Sequence, residues 1–515
     1  MRALDRRAVA ELGISGATLM ENAGRGAARE ILTFLARRKR PVRGLSVVVV
    51  AGKGNNGGDG VVVARILQAR GARVRVFLVA ARAAMAGAAA RALARLERAR
   101  IRPVELVEES DLGQLEQALR RARLVIDALL GTGASGPPAG LVARAIACIN
   151  ASGLPTVALD LPSGLGADAG EVPGPVVHAS MTTTFAGLKR GLILSAAPDV
   201  TGEVRVVPIG IPEAEVRRDA RVFLVEPDDV RRQFPPRARD AHKGTYGHLL
   251  IIAGSAGKTG AAALAGRAAM RTGAGLVTIA TPRSQQPIVA ALLTEPMTEA
   301  LPETRAQTLA LDARDRLLEL AEARDALVLG PGLGLDPETQ ALVRDLARLI
   351  PKPMVIDADA LTALAGHLDG LAAAPAPRCL TPHPGEMARL LGVPAGAVQA
   401  DRIETARRFA VEHATALVLK GHVSVVSGPD GIALLNPTGN PGMASGGTGD
   451  VLTGMIGALL GRGMDTVPAL MSAAYLHGLA GDLAAAVTGE EGLIAGDVVE
   501  AIPGAIRRVL YPEDD

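Results

Sequence analysis

The sequence has 515 residues, 48% of them hydrophobic and 60 of them glycine, so it is too long for one ordinary core and too apolar for wholesale disorder. Lys and Arg total 56 against 53 Asp and Glu, and a net charge of +3 leaves no electrostatic footprint for nucleic acid. Six Phe, three Tyr and no Trp exclude base-stacking platforms and aromatic cages, so ligand rings are expected on aliphatic walls and backbone.

Cys148 and Cys379 lie far apart, which argues against a disulfide framework. Met1 to Asn22 shows no apolar segment after a basic patch, and no unbroken run of about 18 apolar residues occurs. A cytoplasmic protein with neither membrane nor nucleic-acid partner is expected.

In chain order, Leu45–Ala51 reads as a buried strand, followed by a Gly-rich turn from Gly52 to Gly60 and a helical stretch over Val61–Arg70. Strands are predicted again at Arg73–Ala80, Arg123–Asp127 and Pro155–Asp160. Apolar strands without polar alternation, separated by helices, imply a parallel sheet covered on both faces. Ile209–Asp240 is rich in Arg, Pro and acidic residues and breaks the pattern, placing a domain boundary near residues 215 to 225. A second α/β series follows, with strands at His248–Ala253, Ala326–Leu329, Met354–Asp357, Arg378–Thr381 and Ala416–Lys420 and a helix over Ala261–Thr272. The expected fold is α/β: an N-terminal Rossmann-like doubly wound sheet, then a second α/β domain.

Gly52-Lys53-Gly54-Asn55-Asn56-Gly57 satisfies G-x-G-x-x-G between a strand and a helix, where glycines let backbone N–H groups approach a pyrophosphate. Alone it also fits a tight structural turn. The second strand ends on Ala81-Arg82, so the acidic residue of an ordinary NAD-type ribose contact is missing. Asp59 stands between glycines, Asp127 and Asp160 each stand shortly before one (Gly131 and Gly164), and parallel strands would bring the three to one edge. Each can instead cap a neighbouring helix or turn. With Asn amide and Ser hydroxyl groups they form a set of hard oxygen ligands suited to an alkali or alkaline-earth cation.

Leu19–Gly24, Gly54–Gly60, Asp127–Gly136, Asp160–Leu165 and Phe185–Leu192, in that order and spacing, resemble the NAD(P)H-hydrate epimerase domain. The resemblance covers about the first 215 residues and is assigned to 1–218. It implies hydrate binding by Asn55, Asn56, Gly57, Gly58 and Asp59, by Gly131, Thr132, Gly133, Ala134, Ser135, Gly136 and Pro137, and by Asp160. It implies a potassium ion (K+) on Asn56, Asp127 and Ser163. Asp160 is the expected proton carrier, with Lys189 as its partner in proton transfer; the alternative for Lys189 is a surface cation.

In the second half, Gly254-Ser255-Ala256-Gly257-Lys258-Thr259 fails the G-x-x-x-x-G-K-[ST] spacing, because Ile252 stands where the first glycine belongs. Asn440–Leu452 is the sharper feature. Its glycines open a helix and offer several N–H groups to an anion, with Asp450 in the first turn as a helix cap or as an acid–base group. This resembles the Gly-x-Gly-Asp site of ribokinase-like enzymes. Arg271–Val277, Gly330–Gly334, Asp357–Leu361, Thr381–Met387, Lys420–Ser424 and Gly446–Asp450 resemble, in order, the ADP/ATP-dependent NAD(P)H-hydrate dehydratase family, here assigned to 222–515. The resemblance implies hydrate contacts at Ala261, Gly332, His383 and Asp450, and nucleotide contacts at Lys420, Gly421, His422, Val423, Ser424 and Gly449. His383 otherwise reads as a surface turn histidine.

Both halves then imply one pair of substrates, NADHX and NADPHX, the hydrates of NADH and NADPH. Epimerisation in the first domain would feed dehydration in the second at the expense of ADP or ATP, with Mg2+ and Asp450 as base. A symmetric homo-oligomer is expected from related enzymes. The alternatives are a ribokinase-like small-molecule kinase fused to a nucleotide-binding domain, or a first domain that only senses nucleotides.

Overall fold

The computed structural model describes residues 2–134, 136–168, 170, 172–194 and 197–512. Two compact units divide the chain, Met1–Ala220 and Arg221–Asp515.

In the first unit the strands are β1 (Ser46–Ala51), β2 (Arg73–Leu78), β3 (Val104–Glu105), β4 (Leu124–Ala128), β5 (Thr156–Leu159), β6 (Met181–Phe185) and β7 (Glu203–Val207). They pair in parallel in the order β3-β2-β1-β4-β5-β6-β7. The run Val47–Val50 is buried throughout because helices cover both faces. Strand order reverses at β1, where Val47 pairs with Val74 of β2 on one side and with Leu124 of β4 on the other. That reversal opens a crevice at the carboxyl ends of the strands.

β6 is polar in sequence yet wholly buried: Thr182 donates its hydroxyl to the Thr201 carbonyl at 2.7 Å, which lets a β-branched polar residue sit inside. The helix after β1 begins at Asn55, not near Val61, and runs to Ala69. Gly57 and Gly58 therefore lie in its first turns. A Cβ on Gly57 would stand 1.8 Å from the Gly52 carbonyl oxygen, so only glycine permits this approach of helix to turn.

The second unit contains β8 (Val222–Leu224), β9 (His248–Ile252), β10 (Leu276–Pro282), β11 (Met297–Leu301), β12 (Ala326–Leu329), β13 (Met354–Ile356), β14 (Arg378–Leu380), β15 (Ala416–Leu419), β16 (Ser424–Ser427) and β17 (Ala433–Asn436). Their order is β11-β10-β9-β12-β13-β14-β15-β16-β17-β8. Pairing is parallel from β11 through to β15 and antiparallel between β15, β16 and β17; β8 closes the edge parallel to β17. The second unit is a doubly wound sheet carrying an antiparallel extension.

The Thr466–Thr488 helix is long and apolar enough to cross a membrane by length and composition, although His477 and Asp482 interrupt its apolar run. Its buried face joins the second core, together with the Thr448–Gly461 helix.

Candidate active sites

A cavity of about 850 Å³ opens at the first strand-order reversal. Asn55, Asn56 and Asp59 line it from the Asn55–Ala69 helix, Gly131, Thr132, Gly133 and Ala134 from the segment after β4, and Asp160 from the end of β5. Asp59 thus reaches the site from the second turn of a helix, whereas Asp127 is the next-to-last residue of β4 and Asp160 follows β5. The three are not at equivalent strand ends. Gly57 and Gly58 pack beneath the cavity and do not line it; Gly136 and Pro137 are exposed and also lie off its wall among the described residues. Ser135 lies outside the described residues.

Asp160 adopts φ +65°, a left-handed conformation that a non-glycine residue holds only when its surroundings fix it. Its N–H donates to the Thr183 carbonyl at 2.7 Å. Its Oδ2 accepts from the Thr132 N–H at 3.1 Å, and its Oδ1 pairs with Lys189 Nζ at 2.7 Å. Lys189 is only 5% exposed and also donates to the Phe185 carbonyl at 2.7 Å, so it is no surface cation. Asp59 is buried; desolvation, together with the Asp160 and Asp5 charges, pushes its carboxyl well above the usual range.

Asp127 is fully buried, which raises its pKa to about 6 despite opposing hydrogen bonds. It accepts from Ser163 Oγ at 2.6 Å, from the Ser163 N–H at 2.8 Å and from the Leu129 N–H at 3.1 Å. Asn56 Nδ2 donates to the Leu130 carbonyl at 2.7 Å, while Asn56 Oδ1 is buried without a partner.

Asp5 and Val9 line the same cavity from the Arg2–Ala10 helix, and Met20 from the Gly16–Arg37 helix. Sequence reasoning missed them. The available signal was the spacing of Leu4 and Ala8, which bury one helix face in the first core while residues 5 and 9 turn to the cavity.

In the second unit, Asp450 sits in the first turn of the Thr448–Gly461 helix, preceded by Gly447 at φ +94°. Burial, then the charges of Asp357, Asp359 and Glu386, raises its pKa to about 7 against the opposing pull of Lys420. Lys420 Nζ stands 3.0 Å from Asp357 Oδ1 and 3.8 Å from Glu386 Oε2. Burial disfavours its charge, yet Asp357, Glu386 and Asp450 outweigh that and hold its pKa above the usual lysine value. Thr453 Oγ1 donates to Asp357 Oδ2 at 2.7 Å. A Cβ on Gly449 would lie 3.4 Å from Lys420 Nζ, so this helix start and the Lys420 turn meet.

Ala261 and Gly332 adjoin: Gly332 has φ +63°, and its added Cβ would approach the Lys258 carbonyl oxygen at 2.8 Å and Ala261 Cβ at 3.1 Å. Lys258 pairs with Asp359 Oδ2 at 2.8 Å, and the same oxygen accepts from the Gly334 N–H at 2.8 Å. The lysine of the failed phosphate-loop pattern is therefore engaged in fixing the Gly330–Gly334 turn. His383 caps the Pro384–Leu391 helix, its Nδ1 accepting from the N–H groups of Gly385 at 3.0 Å and Glu386 at 3.3 Å. Among the described residues no group of three or more His, Cys, Asp or Glu side chains is placed to hold a metal ion.

Comparison with known proteins gives the family of the chain. Residues 249–504 match the family described as NAD(P)H-hydrate dehydratase, and residues 16–191 match the YjeF-related protein N-terminus. The bifunctional NAD(P)H-hydrate repair enzyme Nnr of Moorella thermoacetica is 45% identical over 510 residues, covering 99% of this chain and 96% of the relative. The chain belongs to the bifunctional NAD(P)H-hydrate repair enzyme family. The Nnr of Thermofilum pendens is 40% identical over 507 residues, with 98% and 95% of the two chains covered. A crystal structure of the ADP/ATP-dependent NAD(P)H-hydrate dehydratase from Bacillus subtilis, co-crystallised with ATP/Mg2+, is 34% identical. It covers 56% of this chain and 99% of its own, with a TM-score of 0.49. As a member of this family, the chain is an NAD(P)H-hydrate epimerase and an ADP/ATP-dependent NAD(P)H-hydrate dehydratase, regenerating NAD(P)H from its hydrates.

Proposed function

We propose that the cavity of the first domain, taken as residues 1–218, epimerises NADHX and NADPHX with Asp160 and Asp59 as its proton carriers. The observation that carries this reading is the contrast between the two carboxylates. Asp160 is paired at 2.7 Å with buried Lys189, whereas burial and the neighbouring Asp160 and Asp5 charges push the Asp59 carboxyl well above the usual range. In the epimerisation, Asp59 gives a proton to the C6 hydroxyl, which departs as water with the bond electrons while the ring-nitrogen lone pair forms a double bond to C6. Water then returns to the opposite face of C6 and loses a proton to Asp160. Exchange with solvent resets the two carboxyls. Lys189 keeps Asp160 in position through the 2.7 Å pairing.

Asn56, Asp127 and Ser163 fit a potassium ion: all three offer hard oxygens, and Asn56 Oδ1 is a buried acceptor that has no donor. Bound there, potassium would supply positive charge that ties the Asn55–Asp59 segment to the start of the segment after β4.

In the second domain, taken as 222–515, Asp450 removes the proton of the C6 hydroxyl of the S hydrate as that oxygen takes the terminal phosphoryl group of ADP or ATP and AMP or ADP leaves. The C6–O bond then breaks with its electrons leaving on phosphate, C5 loses a proton, and the ring double bond is restored. The N–H groups from Gly446 to Gly449 receive the charge of the transferring group. Lys420 and the turn to Ser424 hold the nucleotide, and Mg2+, present with ATP in the Bacillus crystal, would accompany its phosphates. The enzyme is placed in the cytoplasm as a homo-oligomer, without membrane or nucleic-acid partners.

The test supplies racemic NADH hydrate with ADP or ATP and Mg2+ and follows reduced-nicotinamide absorbance and free phosphate. Equal recovery of both is expected. A stable phosphorylated product without recovered absorbance would favour the small-molecule kinase reading.

A further inference from the structure

The turn between β15 and β16 spans Lys420 to Val423, with Leu419 paired to Val425 across the hairpin. Two of its residues have positive φ: Gly421 at +145° and Val423 at +54°. A β-branched valine in the left-handed region is a rare conformation, so neighbouring groups must hold the turn in place.

Arg402, at the start of the Arg402–Glu412 helix, supplies that hold. Its Nη1 donates to the His422 carbonyl at 2.5 Å and its Nη2 to the Leu419 carbonyl at 3.1 Å. The guanidinium fills the space beneath Gly421, where an added Cβ would meet Nη2 at 2.8 Å. Among the described residues no acidic side chain pairs with Arg402, and its Nε is buried without a partner. Burying an arginine without a countercharge is costly, and burial alone lowers its pKa, so tethering these carbonyls is what its fork contributes here.

The consequence for the turn follows from peptide geometry. In a trans peptide the C=O and the next N–H point in opposite directions. With the His422 carbonyl drawn to Arg402, the Val423 N–H is turned away from it. The Gly421 carbonyl accepts from Ser424 Oγ at 3.2 Å, which turns the His422 N–H away from that hydroxyl. Meanwhile the Lys420 N–H is fixed on the Pro382 carbonyl at 2.9 Å, and its ammonium reaches Asp357. Backbone donors and the lysine are thus set before any ligand arrives.

We propose that Arg402 is a positioning residue for the dehydratase nucleotide, presetting the Lys420–Ser424 turn through its two carbonyl tethers. This rests on the reading of that turn as the nucleotide site. A lysine cannot reproduce the two-pronged donation, so charge alone does not replace Arg402.

The experiment compares R402K, R402A and K420A in the full chain. It measures kcat and KM for ADP and ATP with S hydrate, ADP binding by calorimetry, tyrosine fluorescence as a folding control for the second unit, and epimerisation of the R hydrate as a control for the first. Both Arg402 variants should raise nucleotide KM and the ADP dissociation constant by about tenfold, with kcat within about threefold of wild type and epimerisation unchanged. Should R402A not fold, R402K carries the same expectation. Unaltered nucleotide KM in R402K or R402A, with K420A impaired, would overturn the role of Arg402 while leaving the turn as the site. Unaltered ADP binding in K420A as well would overturn both.

Discussion

Replacing Asp450 with asparagine should remove dehydration while making the second domain more stable, and more so as pH rises. Burial and neighbouring carboxylates lift the Asp450 pKa from an ordinary 3.8 to about 7. Below 3.8 the group is protonated whether the chain is folded or not, and it costs nothing. As pH rises, the unfolded chain gains the charge first, and stability falls until the folded carboxyl also ionises near pH 7. At about 1.4 kcal/mol per pH unit, the full cost above pH 7 is on the order of 4 kcal/mol. Between about pH 5.5 and pH 8.5 it grows by about 2 kcal/mol, and residual solvent screening reduces that to about 1–2 kcal/mol. D450N, similar in shape and uncharged, escapes this cost. Tyr246, Tyr475 and Tyr511 are the three tyrosines of a chain without tryptophan, and all lie in the second unit. Tyrosine fluorescence during urea unfolding therefore reports on that unit in the intact protein. The expected result is a D450N gain over wild type that is about 1–2 kcal/mol larger at about pH 8.5 than at about pH 5.5. A gain that does not change with pH, or a loss, would show that the Asp450 charge carries no such cost in the folded domain.

Other expectations concern the first domain. D59N should slow epimerisation by about a hundredfold, the usual worth of a general acid, and leave turnover of purified S hydrate unchanged; retained epimerisation would remove Asp59 from the mechanism. Exchanging potassium for lithium should depress epimerisation and spare the dehydratase, whereas an equal effect on both activities would speak against a site at Asn56, Asp127 and Ser163. G57A places a Cβ 1.8 Å from the Gly52 carbonyl oxygen and should lower first-domain stability by about 3 kcal/mol or more, measured by protease resistance of residues 1–220; an unaffected variant would show that the helix can shift aside.

The strand-and-glycine grammar of the sequence was enough to locate β1, β4 and β5 and the polar groups at their ends, because buried parallel strands are continuous apolar runs. β6 escaped because Met181–Phe185 holds three threonines, whose burial depends on acceptors from other segments such as the Thr201 carbonyl. The Arg2–Ala10 helix escaped because only Leu4 and Ala8 face the core, too few for a periodic signal. Asn55 and Asn56 read as loop residues, since two glycines follow them; tertiary packing of Gly57 on Gly52 makes that stretch helical instead.

Site chemistry divides in the same way. Asp160 and Asp450 were legible from positions near glycine at element ends. The burial of Lys189 and its 2.7 Å pairing with Asp160 were not, because they depend on β5 and β6 lying side by side. His383 stood out between two prolines, yet only the folded chain shows its ring capping a helix. Asp357 closes a strand visible in sequence, while its bonds to Lys420 and Thr453 span 63 and 96 residues.

Mixing variants tests whether two separate sites divide the two epimers between them. D160N alone, given racemic NADH hydrate with ATP and Mg2+, should restore reduced-nicotinamide absorbance to about half, because the R form is stranded. Adding D450N, whose first domain is intact, should carry recovery to completion without raising the initial rate on S hydrate. Recovery well past half by D160N alone, after subtraction of spontaneous epimerisation, or no further recovery on adding D450N, would contradict the account.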